Sequence, residues 1–155
     1  MIDLRSDTVI KPSREIRQAM ANAEVGDDVY KEDPTVNKLQ KYCAELFDKE
    51  DALFVPSGVI GNQLCLNAHT QPGDEVICDK NAHIFQYESG SPAMLSGLSL
   101  NLVDGEHGII TPEQVEPLIR PTNAYYMPQT KVIEVENTHT MLPVVLFNLW
   151  ITLKR

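Results

Sequence analysis

Three short polar segments of this sequence each follow a predicted strand, and their side chains could bind an anion or move a proton. Ser57-Gly58 stands where a strand ends and a helix begins, and the free N–H groups and positive dipole end of a helix favour a phosphate. His83 follows a second strand, where an imidazole could stack on a flat ring or transfer a proton. The segment Glu136-Asn137-Thr138-His139 follows another strand. The last two segments are expected at the carboxyl edge of a sheet, where open α/β sheets bind ligands.

Each segment taken alone also has an ordinary structural interpretation. Many strand–turn–helix corners bind nothing, and Ser57-Gly58 lacks the glycine spacing of a P-loop or a dinucleotide site. A lone histidine such as His83 is often structural, and Asn and Thr are common turn residues. The polar segment at residues 3–8 is typical of a solvated arm. No single segment therefore identifies a function.

The first fifty residues predict an extended arm followed by two helices. Ser13 caps a helix predicted over about 14–23, and Asp33-Pro34 supplies a capping residue and a favourable first position for the next. We predict that this second helix buries one face, because its apolar residues recur at helical spacing. These residues are Val36, Leu39, Cys43, Leu46 and Phe47.

After residue 50, predicted strands alternate with predicted helices. The strands are placed at 52–55, 75–78, 98–103 and 131–136, and the helices at about 59–68, 84–88 and 111–120. This alternation is typical of βαβ units, so we predict an α/β fold with a mostly parallel sheet and flanking helices. We divide the chain into an arm at 1–12, the first part of a larger domain at 13–139, and an aberrant tail at 140–155.

Composition narrows the class of partner. The chain has 155 residues, of which 22 are acidic and 13 basic, for a formal net charge of -9. Phosphate backbones and anionic membranes are held by Lys and Arg, so neither nucleic acid nor membrane is an expected partner. The longest apolar run, 142–147, is too short to span a bilayer, and we expect a cytoplasmic protein. Cys43, Cys65 and Cys78 have no metal-ligand or redox spacing and are expected to be buried structural thiols; no metal site is predicted.

Eight segments occur together in an order that resembles the low-specificity L-threonine aldolases, within the wider β-eliminating lyase and threonine aldolase group. They include Val25-Gly26-Asp27-Asp28-Val29-Tyr30 and Ala82-His83-Ile84-Phe85. Each segment is modest, but their order and spacing together are highly specific. The full set lies at 3–8, 25–30, 32–37, 54–58, 61–63, 71–77, 82–85 and 136–139.

The resemblance implies a partial fold type I large domain of an enzyme that depends on pyridoxal 5′-phosphate (PLP). Such enzymes cleave L-threonine or allo-threonine to glycine and acetaldehyde, with PLP as the electron sink. Carried over by position, His83 is the catalytic residue that stacks on the pyridine ring. Ser57, Gly58 and the amide of Val59 hold the cofactor phosphate.

Further expectations concern the substrate and the assembly. The resemblance places Ser6 and Tyr30 near the substrate carboxylate, partly across a subunit interface. It also implies a homotetramer built from closely paired dimers. We therefore expect a small β-hydroxy amino acid as the substrate and further copies of the chain as partners.

The sequence departs from the family pattern in three ways. Val59 replaces a threonine whose hydroxyl binds phosphate, which removes a charge-assisted hydrogen bond worth roughly 1.5–3 kcal/mol. The histidine that some members place near Tyr126 is missing. After His139 the resemblance stops, and neither the Asp that contacts the pyridine nitrogen nor the Schiff-base lysine has a counterpart. The chain therefore resembles the truncated front half of the family.

The resemblance and its departures leave three interpretations of function, the third of which is another PLP-dependent activity. In the first, the intended protein is a PLP-dependent aldolase whose reading frame shifts near Met141, because codon choices exist that restore a Gly-Gly pair after His139. In the second, the chain is a non-catalytic remnant or an assembly subunit, inactive alone. The third is a related β-eliminating lyase that acts on another amino acid.

Overall fold

The computed structural model describes Asp3 and residues 6–139, without the side chain of Asp7. The predicted aberrant tail, 140–155, lies outside the described residues. The chain divides into two compact units, Met1–Phe54 and Val55–Arg155. The division into 1–12, 13–139 and 140–155 remains a prediction.

The first unit contains a short 3-10 turn, Asp7–Val9, and two helices, α1 (Arg14–Ala21) and α2 (Pro34–Leu46). Both helices begin at the predicted caps, because local side chains accept their free N–H groups. Ser13 accepts from Ile16 N at 3.2 Å. Asp33 accepts from the backbone N–H groups of Thr35 and Val36, each at 2.9 Å.

Two predictions for the first unit are wrong. The apolar face of α2 is not buried: Leu39, Leu46 and Phe47 are 44%, 60% and 66% exposed. The segment 52–55 forms no strand, since the Phe54 N–H donates to the Gln40 side chain at 2.9 Å instead of to a neighbouring strand. Helical spacing shows which residues are apolar, but burial requires a packing partner, and the described residues cover this face only in part, at Val36 and Cys43.

Up to residue 139, the second unit forms a three-stranded parallel sheet with helices on both faces. Its strands are β1 (Glu75–Asp79), β2 (Ser99–Val103) and β3 (Thr130–Ile133), in the order β2-β1-β3. The predicted α/β class is therefore confirmed. Its helices are α3 (Gly58–His69), α4 (His83–Gln86), α5 (Ser91–Ser96) and α6 (Pro112–Val115), followed by a 3-10 turn, Glu116–Leu118.

Alternate residues of β1 supply two core clusters. Val76 and Cys78 pack with Leu66 of α3, whereas Ile77 on the opposite face packs with Val115 of α6. All five residues of β1 are buried, as expected for the central strand of a parallel sheet. Helix α5 was not predicted, because it has only six residues between two glycines with positive φ.

The thiols are not uniformly buried, contrary to the prediction. Cys78 is buried in β1, Cys43 is half-buried, and Cys65 is exposed. Cys65 lies on α3 about 200° around the axis from the buried Gln63, so it faces away from the sheet. Within the part of the chain that the structure describes, no helix is long and apolar enough to span a bilayer.

The amino end of the sheet is held by Glu75, whose side chain is 3% exposed. One carboxylate oxygen accepts from Thr130 Oγ1 at 2.9 Å and from Asn101 Nδ2 at 3.2 Å. The other accepts from Arg120 Nε at 3.3 Å and from its NH2 group at 3.2 Å. This one side chain thus ties β1 to both neighbouring strands.

Candidate functional site

Helix α3 begins at Ser57, whose hydroxyl accepts the Ile60 N–H at 3.3 Å. The Gly61 N–H bonds to the Ser57 carbonyl at 3.2 Å, so only the N–H groups of Gly58 and Val59 lack an acceptor within the helix. A Cβ built on Gly58 would meet no atom within 4 Å. This end of α3 therefore presents two donors to open space, as an anion site requires.

His83 begins α4, just beyond the carboxyl end of β1, and is fixed at two points. Its backbone N–H donates to Glu136 Oε2 at 2.8 Å, which joins two of the segments that the sequence predicted to line one edge. Its Nδ1 lies 2.9 Å from Glu88 Oε1. The His83 side chain remains 36% exposed, and its ring lies 5.6 Å from the Tyr87 ring, tilted by 44°. One part of the imidazole is thus anchored while another is accessible.

Glu88 is the residue of this site that sequence reasoning missed. Its side chain is fully buried and makes three hydrogen bonds, with His83, Asn62 and Gln63. Asn62 Nδ2 donates to Oε1 at 2.6 Å and Gln63 Nε2 donates to Oε2 at 2.6 Å. An acid five residues after His83, together with the amide pair Asn62-Gln63, was the sequence feature that could have indicated this contact. The three contacts bring α3, His83 and the end of α4 together around one carboxylate.

A second polar cluster lies where β1 ends and the segment after β3 passes it. Asp79 accepts from the backbone N–H groups of Asn81 at 2.8 Å and Gly105 at 2.9 Å. Its Oδ1 also lies 3.4 Å from His139 Nε2. Gly108, at φ 74°, packs so closely on the His139 ring that a Cβ there would come within 2.3 Å of it. The predicted His139 is therefore buried beside the edge rather than open to a ligand.

Burial and neighbouring negative charges raise the pKa of two side chains near this edge, Glu134 and Cys78. Desolvation, with smaller contributions from the negative charges of Glu136, Glu88 and Asp79, raises the pKa of Glu134 from 4.5 to about 7. Its Oε2 is buried and has no hydrogen-bond partner among the described residues. Desolvation also raises the pKa of the Cys78 thiol, so this cysteine is not a ready nucleophile.

Ser6 and Tyr30, the predicted substrate-binding residues, belong to the first unit. The Ser6 hydroxyl lies 2.8 Å from Thr8 Oγ1 and accepts the Thr8 N–H at 3.2 Å. Tyr30 is 75% exposed. The structure describes each of them within that unit, and their roles remain predictions. Tyr126, in the segment that lacks the second histidine, is 72% exposed.

Comparison with known proteins agrees with this arrangement. A family described as Beta-eliminating lyase matches residues 3–144. The low specificity L-threonine aldolase of Escherichia coli K12 is 44% identical over 140 residues, which are 90% of this chain and 42% of the bacterial protein. The low-specificity L-threonine aldolase 1 of Arabidopsis thaliana is 43% identical over 141 residues, covering 89% of this chain and 39% of the plant protein. The chain thus spans about two fifths of the length of these relatives.

A solved structure supports the fold. The threonine aldolase of Leishmania major superimposes with a TM-score of 0.65 and 20% sequence identity, over 81% of this chain and 36% of that chain. The predicted resemblance to the low-specificity threonine aldolases is confirmed by the sequence matches. With the family match covering most of its length, this chain belongs to the beta-eliminating lyase family.

Proposed function

We propose that the N-terminal end of α3 and His83 form the phosphate- and ring-binding portion of a PLP-dependent aldolase. This enzyme cleaves L-threonine or allo-threonine to glycine and acetaldehyde. The chain spans about two fifths of its relatives, so cleavage is proposed for the complete family protein and cofactor binding for this chain. The observation that carries the proposal is the link, through Glu88, between the open N-terminus of α3 and the anchored His83.

The residues present fit the phosphate and the ring of PLP. Open space in front of Gly58 leaves room for an anion against two free N–H groups. Ser57 adds a hydroxyl at the same end of the helix. The accessible part of His83 can meet a flat ring, and its imidazole can also hold or move a proton. When bound, PLP supplies the electron sink for breaking a bond at the substrate α-carbon.

For threonine, cleavage breaks the bond between Cα and Cβ. The β-hydroxyl loses its proton and becomes the aldehyde of acetaldehyde, and Cα gains a proton to give glycine. We propose that His83 Nε2 is the atom of this chain that accepts or donates the transferred proton. In this proposal Ser6 and Tyr30 orient the substrate carboxylate. We further propose that the complete protein is a homotetramer and is cytoplasmic.

Gly58→Ala should weaken binding of pyridoxine 5′-phosphate by about tenfold or more without harming the fold, because a Cβ would occupy the space in front of the helix and displace the phosphate from charge-assisted hydrogen bonds. This ligand has no aldehyde and so cannot react with surface lysines. Calorimetric titration of the chain measures the affinity. Gly61→Ala is the matched control, since its Cβ would meet only Val55 Cγ2 at 3.4 Å. Equal affinities for both variants and the wild type would contradict the proposed phosphate site.

Val59→Thr should strengthen binding of the same ligand by roughly 10- to 100-fold, because the added hydroxyl can donate to the phosphate. Valine and threonine have nearly the same shape, so the helix itself should be unaffected. Pyridoxine without its phosphate is the control ligand, and its affinity should not change. A gain of similar size for pyridoxine would show that the new hydroxyl acts somewhere other than the phosphate.

A further inference from the structure

Among the described residues near the proposed site, Glu88 is the buried acid whose side chain makes the most hydrogen bonds. We propose that Glu88 is a positioning residue that fixes the tautomer and the ring orientation of His83, and that Asn62 and Gln63 of α3 hold it in place. Its relevance to catalysis rests on the proposed function, because His83 is the residue that would meet the cofactor ring. The contact itself does not depend on any ligand.

Two amide groups and one imidazole nitrogen surround the Glu88 carboxylate. The side-chain amides of Asn62 and Gln63 each donate to one Glu88 oxygen at 2.6 Å. An ionised carboxylate only accepts hydrogen bonds, so the His83 nitrogen 2.9 Å from Oε1 must carry a proton. We infer that neutral His83 carries its proton on Nδ1. Its Nε2 then has a lone pair, and no described side chain is bonded to that nitrogen.

Burial makes this contact strong. The Glu88 side chain is 0% exposed, so water does not compete for its oxygens, whereas His83 is 36% exposed. In such surroundings a charge-assisted hydrogen bond is stronger than one at the surface. The imidazole is thus held from its buried side, and its basic Nε2 is the nitrogen left for a substrate or cofactor proton.

The same contacts join the ring to the phosphate end of α3. Asn62 and Gln63 lie four and five residues after Gly58, which corresponds to about 6–8 Å along the helix axis. The helix that offers N–H groups to an anion therefore also holds the carboxylate behind His83. This arrangement fixes the separation of two contact points for a single ligand that carries both a phosphate and a flat ring.

The test is the tautomer of His83 in the unliganded chain. Long-range ¹H–¹⁵N spectra of the ¹⁵N-labelled protein, at a pH of about 9 where imidazoles are neutral, distinguish a protonated from a bare ring nitrogen. His83→Gln identifies the His83 signals. We expect a protonated Nδ1 and a bare Nε2. The opposite pattern in the wild type would overturn the proposal, even if no variant folds.

Variants then connect the tautomer to the carboxylate. Glu88→Met keeps the length but removes the acceptor, and should shift the ratio of the two tautomers by about tenfold or more toward protonated Nε2. Glu88→Gln, which retains one acceptor oxygen, should give an intermediate ratio. His139 is the internal control, because it lies beside Asp79 and its tautomer should not change. An unchanged His83 ratio in folded Glu88→Met would overturn the proposal.

The positioning role of Glu88 and the binding of the cofactor by this chain can be tested independently. If His83 has the expected tautomer but the wild-type chain does not bind pyridoxine 5′-phosphate, the positioning role stands and the cofactor assignment falls. If the ligand binds while His83 is protonated on Nε2, the positioning role falls and cofactor binding stands.

Discussion

Replacing Glu75 with alanine is expected to lower the free energy of unfolding by roughly 3 kcal/mol, the upper end of the range for leaving buried hydrogen-bonding groups without a partner. Arg120 is 37% exposed and can regain water, so the cost comes mainly from the partners that stay buried. The side chain is 3% exposed and accepts four hydrogen bonds from Asn101, Thr130 and Arg120. Its loss leaves the hydroxyl, the amide and the guanidinium without their acceptor at the end of the sheet. Urea unfolding followed by far-UV circular dichroism measures the change.

Asp104→Ala is the matched control for the Glu75 variant. Asp104 also forms an ion pair, with Lys80 at 2.7 Å, but the two side chains are 77% and 48% exposed. Exposed pairs contribute about 0–1 kcal/mol, so this variant should be nearly as stable as the wild type. Similar losses for both variants would show that the cluster around Glu75 does not hold the three strands together.

Replacing Glu134 with glutamine should stabilise the protein at pH 8 by roughly 3 kcal/mol and remove a pH dependence that the wild type shows. Burial raises the pKa of this carboxyl group from 4.5 to about 7. At about 1.36 kcal/mol per pKa unit, ionising the buried group costs roughly 3 kcal/mol. Glutamine has nearly the same shape but carries no charge to desolvate.

The sign of the pH effect follows from proton binding. Between pH 4.5 and about 7, the folded protein holds the Glu134 proton more tightly than the unfolded chain does. The contribution of this group to stability is therefore fully present below pH 4.5 and is lost as the pH rises to about 7. Urea unfolding at a series of pH values should show this decline in the wild type and not in Glu134→Gln.

Glu116→Gln provides the control for net charge, since it removes one carboxylate from an exposed position of the same unit. Its stability should follow the wild-type pH dependence. If Glu134→Gln instead destabilises the protein at pH 8, the carboxylate must have a stabilising interaction that outweighs its desolvation.

The local signals of the sequence determined most of the second unit and the helix starts of the first. Caps at Ser13, Asp33 and Ser57 act through hydrogen bonds to residues two or three positions away, so their effect can be read from the sequence. The apolar runs that form β1 and β2 were recognisable for the same reason. The order of these elements was sufficient to predict a parallel α/β sheet with His83 beyond the end of one strand, whereas the strand predicted before Ser57-Gly58 does not form.

Burial and long-range contacts were decided only by the tertiary structure. Glu88 meets Asn62 and Gln63 from 26 and 25 positions away, and Glu136 reaches His83 across 53, so no local pattern marks these pairs. Leu53 and Phe54 of the run at 52–55 and most of the apolar face of α2 are exposed, because an apolar sequence becomes buried only where another element packs against it. The residue types thus predicted where chemistry could occur, and the fold determined which carboxylate holds His83.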